Sequence, residues 1–370
     1  MLTLTAGARH YKFEKSFKGS VSSAFYCFEQ GAQAGGCTNG TFYRIDKLPD
    51  GRGDTETGTK YRGNLTWHIT PDIMLYATYS QGFRPGGFNR QGGLDANGKP
   101  TSCHIKGRDG VDQFCLPPVY KSDDLTTKEI GWKMEFLNRH LQVNGAVSQE
   151  DWDNVQIGFF DPGELGNLTF GTNGQNFRIR GVETQIVGRA AGLTVQAAAS
   201  LNWMREQVNS PALIDGNPAS VNFGKPITEA CTSATNCKPL NNLFGAPGSP
   251  PANAPPLQFN LRARYDWTIG GYDAFAQAGM THSGHSFTQS ANNPSIAAGG
   301  INTTILRFEN PAYDTYDASV GVGKDAWTAH LFAQNLTNVN TSLFTNTGQF
   351  VVAESVLRPR VIGLKVGYKF

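Results

Sequence analysis

No stretch of about 18 uninterrupted apolar residues occurs in this 370-residue chain, which excludes a membrane-spanning helix. A β-barrel stays open, because its strands alternate and never produce a long apolar run. A surplus of one charge is also missing. Thirty-two Lys and Arg stand against 30 Asp and Glu for a net charge of +2, too balanced for a surface that follows a phosphate backbone, so no nucleic-acid partner is expected. No Cys-x-x-Cys pair is present, which argues against a zinc site. The start lacks a basic n-region, an apolar h-region and a small-residue cleavage site; Met1-Leu-Thr-Leu-Thr-Ala-Gly-Ala-Arg-His-Tyr11 reads instead as a strand from its first residue. If the protein is exported, this chain is expected to lack its beginning.

What is present is alternation. Tyr61, Gly63, Leu65, Trp67 and Ile69 alternate with Lys60, Arg62, Asn64, Thr66 and His68, and Pro71-Asp72 then turns the chain into a strand from Ile73 to Phe83. Ile130, Trp132, Met134 and Phe136 alternate with Glu129, Gly131, Lys133 and Glu135, and a turn at Asn138-Arg139 leads into Leu141, Val143, Gly145 and Val147. Val182, Thr184 and Ile186 precede a turn at Ala190 to Gly192, followed by Leu193, Val195, Ala197, Ala199 and Leu201. Leu257 to Asp266 turns at Gly270-Gly271 into Tyr272 to Met280, and Tyr316 to Val322 turns at Gly323 to Asp325 into Trp327 to Leu336. The last thirteen residues close the series, with Ile362, Leu364, Val366, Tyr368 and Phe370 on one face and Val361, Gly363, Lys365, Gly367 and Lys369 on the other.

The count is twelve strands. Alternation alone also fits a soluble sandwich with one wet face. Length separates the two, since strands of about ten residues exceed the usual five or six and match what a tilted strand needs to cross a bilayer. Very short turns at one end and much longer loops at the other match the periplasmic and extracellular sides of an outer-membrane barrel, and a terminal Phe370 fits its last strand. The fold expected is all-β, a transmembrane antiparallel up-and-down β-barrel of about twelve strands, with residues 1–370 as a single barrel domain.

Six cysteines fall into three local pairs, Cys27 with Cys37, Cys103 with Cys115 and Cys231 with Cys237, each in a Gly/Pro/Asn/Ser-rich stretch. Such spacing reads as loop-stapling disulfides made in an oxidising compartment.

Several segments resemble one family in order and spacing. Tyr76-Ala-Thr-Tyr-Ser-Gln-Gly-Phe-Arg-Pro-Gly-Gly-Phe-Asn89 is similar to a strand-to-loop segment of TonB-dependent outer-membrane receptors, particularly the siderophore type. Glu129-Ile-Gly-Trp-Lys133, Asp153-Asn-Val-Gln156, Gly181-Val-Glu183, Asn335-Leu-Thr-Asn338 and the ending from Pro359-Arg360 to Phe370 add to it. The resemblance implies that the chain is the last twelve strands of a 22-stranded barrel, without the N-terminal plug domain and the first strands. It further implies a Gram-negative cell outer membrane with its lipid as surroundings and a ferric siderophore or similar bulky nutrient as transported ligand. TonB would be engaged through the missing N-terminal region. No enzyme activity, cofactor or resident metal is implied.

The ligand is expected at the long loops and upper lumen. Arg84 and Phe88, in the Gly-rich exit from the third strand, could offer a guanidinium and a ring to an anionic chelate, or could simply shape the strand end. Trp152, Phe159 and Phe160 could form an aromatic ligand wall, or Trp152 could anchor the membrane interface. His282-x-x-His285 lacks a third ligand at a typical spacing. Glu150, Asp151, Asp153 and Asp161 read as a solvated loop rather than the carboxylate pair of a glycosidase. Two other functions fit parts of the pattern: a stand-alone twelve-strand channel or barrel enzyme, and a secreted, disulfide-stapled β-rich binding module.

Overall fold

In the computed structural model, residues 1–15, 55–89, 103–115, 117, 119–161, 168–233, 235–240, 244–290, 307–346 and 353–370 are described, together with short strand pairs at 18–19 with 43–44, 26–27 with 32–33, and 295–297 with 300–302. Twelve long strands build one antiparallel sheet in strict chain order. They are β1 (Leu2–Glu14), β2 (Thr55–Thr70), β3 (Ile73–Arg84), β4 (Asp123–Phe136), β5 (Leu141–Asp153), β6 (Phe177–Ala190), β7 (Leu193–Gln207), β8 (Leu257–Ile269), β9 (Tyr272–Ser283), β10 (Tyr313–Lys324), β11 (Trp327–Gln334) and β12 (Val361–Tyr368). Each neighbour pair is joined alternately by a tight turn and a long loop, the up-and-down order expected from the alternation. Among the described residues, no helix is long and apolar enough to cross a membrane.

Register gives the two faces opposite chemistry. One row runs through Leu4, Leu65, Ala77, Ile130, Val147, Val182 and Leu201, each paired across the ladder with the next. The same face carries Leu261, Val320, Leu331 and Leu364, and most of these large apolar side chains are exposed. On a water-soluble sheet such a continuous exposed apolar face would drive aggregation; facing lipid it carries no such cost. The opposite face carries Lys133, Asn144, Glu183, Gln185, Asn260 and Thr281, the polar lining of a barrel lumen.

Glycines on this sheet are seats for rings. A Cβ on Gly131 would collide with the Tyr76 ring, one on Gly321 with Phe275 and one on Gly363 with Phe332. Each ring lies across its cross-strand glycine, covering backbone that would otherwise be bare. The tight turns use left-handed backbone: Leu137, Asn138 and Arg139 all have positive φ, as do Ala191-Gly192 and Gly270-Gly271.

Boundaries shift where loops take over. The eleventh strand, expected to reach Leu336, stops at Gln334, because Asn335 turns to a φ of 50°. From there its side-chain amide donates to the carbonyls of Val339 and Arg358, at 2.9 and 3.0 Å, and the Asn338 carboxamide oxygen accepts from Arg360 N–H. The Asn335-Leu-Thr-Asn338 segment is thus a backbone clasp between β11 and the approach to β12.

Candidate functional site

The polar face encloses a groove of about 620 Å³, lined by Tyr76, Lys133, Asn144, Glu183, Gln185 and Asn260 among others. It reaches eight strands, β3 to β10, because alternate residues of every strand point the same way. The groove is open, and charged and amide side chains such as Lys133, Glu183, Asn144 and Gln185 stand on its wall.

Arg84, Asp123 and Trp152 meet at the long-loop end of this face. Asp123 opens β4 opposite Arg84, the last residue of β3, and Trp152 pairs with Leu125 one step below. The Asp123 carboxylate is 1% exposed. It accepts Arg84 Nε at 2.9 Å, Trp152 Nε1 at 3.0 Å and the Gln156 N–H at 3.3 Å, with Arg84 Nη2 closing a two-pronged pair. The guanidinium also lies 4.8 Å from the Trp152 ring centre. A buried carboxylate is tolerable only when so completely bonded. Arg84 itself remains half exposed at the mouth, with its charge already balanced by Asp123.

The other expected site residues are placed as follows. Phe88 sits in a two-residue strand, Gly87–Phe88, that pairs with Val119–Tyr120 beside the mouth. The backbone of Phe159 and Phe160 lies in the Gln156–Asp161 strand, paired with Leu168–Asn173 above β5 and β6; their side chains fall outside the described residues. The structure therefore brings Arg84 and Trp152 into contact and places the three phenylalanines on neighbouring loop hairpins. Of the two residues that organise the cluster, Gln156 was marked in the sequence only as the end of the Asp153-Asn-Val-Gln156 segment, and Asp123 carried no signal beyond its position beside a strand end.

His282 Nδ1 donates to the Asp314 carboxylate, 2.8 Å away, and the ring stacks on Phe259, so it is held by protein on the apolar face. Glu150 shares the lumen face with Trp152, while Asp151 is bonded by Arg178 Nε at 2.6 Å on the other face, so the two carboxylates do not converge.

Two of the three cysteine pairs are disulfides, Cys103–Cys115 and Cys231–Cys237. Cys37 and the side chain of Cys27 lie outside the described residues. Glu229 lies near the Cys231 and Cys237 sulfurs, but bonded sulfurs offer no thiolate to a metal. The two stapled loops are also packed on each other. Phe114 from one loop is buried with Leu213, Ile227 and Phe244 from the other. Arg108 forms a bidentate pair with Glu229 at 2.8 and 3.0 Å, Gly216 N–H donates to Gln113 at 2.9 Å, and the Ser220 hydroxyl lies 2.8 Å from Asp109. Burial pushes the Asp109 carboxyl up, but the Val111 N–H and the Ser220 hydroxyl more than offset this and hold it below the usual carboxylate range.

A sequence model of TonB dependent receptor-like β-barrels matches residues 1–336. Among solved structures, the ferric yersiniabactin uptake receptor FyuA from Yersinia pestis aligns over 100% of this chain at 12% identity and a TM-score of 0.60. The siderophore receptor PiuA from Acinetobacter baumannii aligns over 100% at 16% identity and 0.59, and the ferric-catecholate import receptor Fiu from Escherichia coli K12 over 100% at 15% and 0.56. The chain covers 43%, 41% and 42% of those chains, less than half of each.

Proposed function

This chain belongs to the family of TonB-dependent receptor-like β-barrels, and from that membership we propose that it forms the C-terminal barrel strands of an outer-membrane receptor that takes up a ferric siderophore or a similar bulky chelate. The observation that carries the proposal is the face-divided twelve-stranded sheet. Its apolar side fits lipid and its polar groove fits a hydrophilic cargo, in a fold shared with the siderophore receptors FyuA, PiuA and Fiu. In this reading the ferric chelate is cargo, not a cofactor, and the barrel performs no catalysis. Energy reaches it through TonB, by way of a plug domain and contact segment in the remainder of a full-length receptor.

The ligand first meets the protein at the stapled loops and the Arg84–Trp152 mouth, with Phe88, Phe159 and Phe160 on the hairpins around it. Arg84 contributes through the exposed side of its guanidinium and Trp152 through its ring face, while Asp123 fixes both.

Growth of a strain lacking the full-length gene, on a panel of iron chelates, sugars and vitamins as limiting nutrients, tests the proposal. Loss of growth on one or more ferric chelates, reproduced by removing TonB, is the expected result. A defect confined to sugars or vitamins, one independent of TonB, or no defect at all would refute it.

A further inference from the structure

Two of the segments that resemble TonB-dependent receptors end on a carboxamide, Asn89 at the close of Tyr76 to Asn89 and Gln156 at the close of Asp153 to Gln156. Both side chains reach across the mouth. Asn89 is buried, its nitrogen donating to the carbonyls of Pro117 and Gly171, each at 2.7 Å, while its oxygen accepts the Gly171 N–H at 2.6 Å. The Gln156 side-chain nitrogen donates to the carbonyls of Pro85 and Lys121, each at 3.0 Å. Asn173 completes the set: its nitrogen donates to the carbonyls of Lys121 and Asn154, each at 2.9 Å, and its oxygen accepts the Lys121 N–H at 2.6 Å. A carboxamide carries two donors and an acceptor without a charge, so each of the three can tie several backbone groups together.

Three stretches of backbone meet at these side chains: the exit from β3 at 84–89, the return into β4 at 117–121, and the hairpin with arms 156–161 and 168–173. Ladders join the exit to the return, through Gly87–Phe88 with Val119–Tyr120, and the two hairpin arms to each other. Among the described residues no ladder joins the exit or the return to the hairpin, so the carboxamides and the Asp123 cluster make that junction. Tyr120 fills the space between. A Cβ on Gly87 or on Gly171 would crowd its ring, so two glycines from different stretches seat the same side chain. Removing a carboxamide here leaves backbone carbonyls and an N–H without partners, which costs more than a hydrogen bond lost to water.

We propose that Asn89, Gln156 and Asn173 are positioning residues, which hold the exit carrying Phe88 and the hairpin carrying Phe159 and Phe160 as one preformed wall on the Arg84–Trp152 mouth. A bulky chelate then meets surfaces already in place, and binding does not bear the cost of ordering separate loops. The hairpin leaves β5 through Asn154, whose φ is 52°, and Asn173 holds the carbonyl of that bend. For its ligand the inference rests on the receptor reading above; the joining of the wall does not depend on it.

Hydrogen exchange of the full-length receptor in lipid vesicles tests the joining without a ligand. Asn89→Ala should speed exchange roughly tenfold in 168–173 as well as in 85–89, although Gly171 lies 82 positions from residue 89. Asn173→Ala makes the same test at Lys121, and holds if Asn89→Ala does not fold. Both variants are then compared, in a strain lacking the gene, for uptake of radiolabelled iron supplied as catecholate, hydroxamate and carboxylate chelates. The half-saturating concentration should rise roughly tenfold, while the maximal rate per folded receptor stays the same, because the wall places the ligand and does not move it. Asn335→Ala, which removes a carboxamide clasp far from the mouth, should leave the half-saturating concentration unchanged. Faster exchange confined to the mutated stretch, or a lower maximal rate at an unchanged half-saturating concentration, would overturn the proposal. Uptake of none of the chelates by the unaltered receptor would overturn the siderophore reading instead, and the exchange result alone would then decide whether the wall is joined.

Discussion

At the scale of single residues, the molecule depends on groups whose surroundings leave them one workable state. Asp123 is the clearest. Its carboxylate is buried and receives the Arg84 guanidinium, the Trp152 indole and the backbone N–H groups of Arg84 and Gln156, so truncation strands four donor groups at once. Asp123→Ala is expected to cost about 3 kcal/mol. Denaturation of detergent-folded protein followed by tryptophan fluorescence checks this, and an unchanged midpoint would mean the cluster adds nothing. Arg84 and Trp152 were visible in the sequence as candidates because their types and their place at a strand end suit an anionic ligand. Their partner was not visible, since Asp123 lies 39 positions from Arg84 and only the β3–β4 register brings the two together. Gly131 is similar: the chain shows a glycine in a strand, and the fold shows why no larger residue fits beneath Tyr76.

Turns and loops decide the behaviour of the elements. Three successive left-handed residues, Leu137 to Arg139, close the β4–β5 hairpin. Asparagine tolerates that conformation and a β-branched residue does not, so Asn138→Val should cost about 1–2 kcal/mol and Asn138→Gly should stay within about 0.5 kcal/mol of the parent. Equal stability of all three proteins in the same denaturation experiment would show that the turn does not constrain the hairpin. At the other end, the 85–122 and 208–256 loops share Phe114, Leu213, Ile227 and Phe244. Replacing Cys103 and Cys115 by serine removes a loop closure of about 3 kcal/mol. Because the core is shared, hydrogen exchange should accelerate in both loops and not in the first alone. Protection retained across 208–256 would mean that the loops are independent. The cysteine spacing announced the staples, but nothing in it announced that two stapled loops would pack together.

Over the whole molecule, the two faces of the sheet set where the protein can reside. Val320 lies on the exposed apolar face in the middle of β10, and Ser319 points to the opposite side. Val320→Arg should therefore cost roughly 2–4 kcal/mol on folding into vesicles, whereas Ser319→Arg should be nearly neutral. Equal penalties, measured by urea titration in lipid vesicles, would show that the apolar face does not meet lipid.

Alternation with a period of two requires only neighbouring residues, so the chain by itself determined the strands, their in-or-out faces, the turns and the up-and-down order. Family resemblance rested on the same local segments, such as Tyr76 to Asn89 and Asn335 to Asn338. What only the tertiary structure decided were the encounters between distant residues. Asp123 meets Arg84 and Trp152, Phe114 meets Phe244, and Asn89 meets Gly171. Each depends on register and on a loop's path, which follow from the cooperative packing of the whole sheet rather than from any local run of residues.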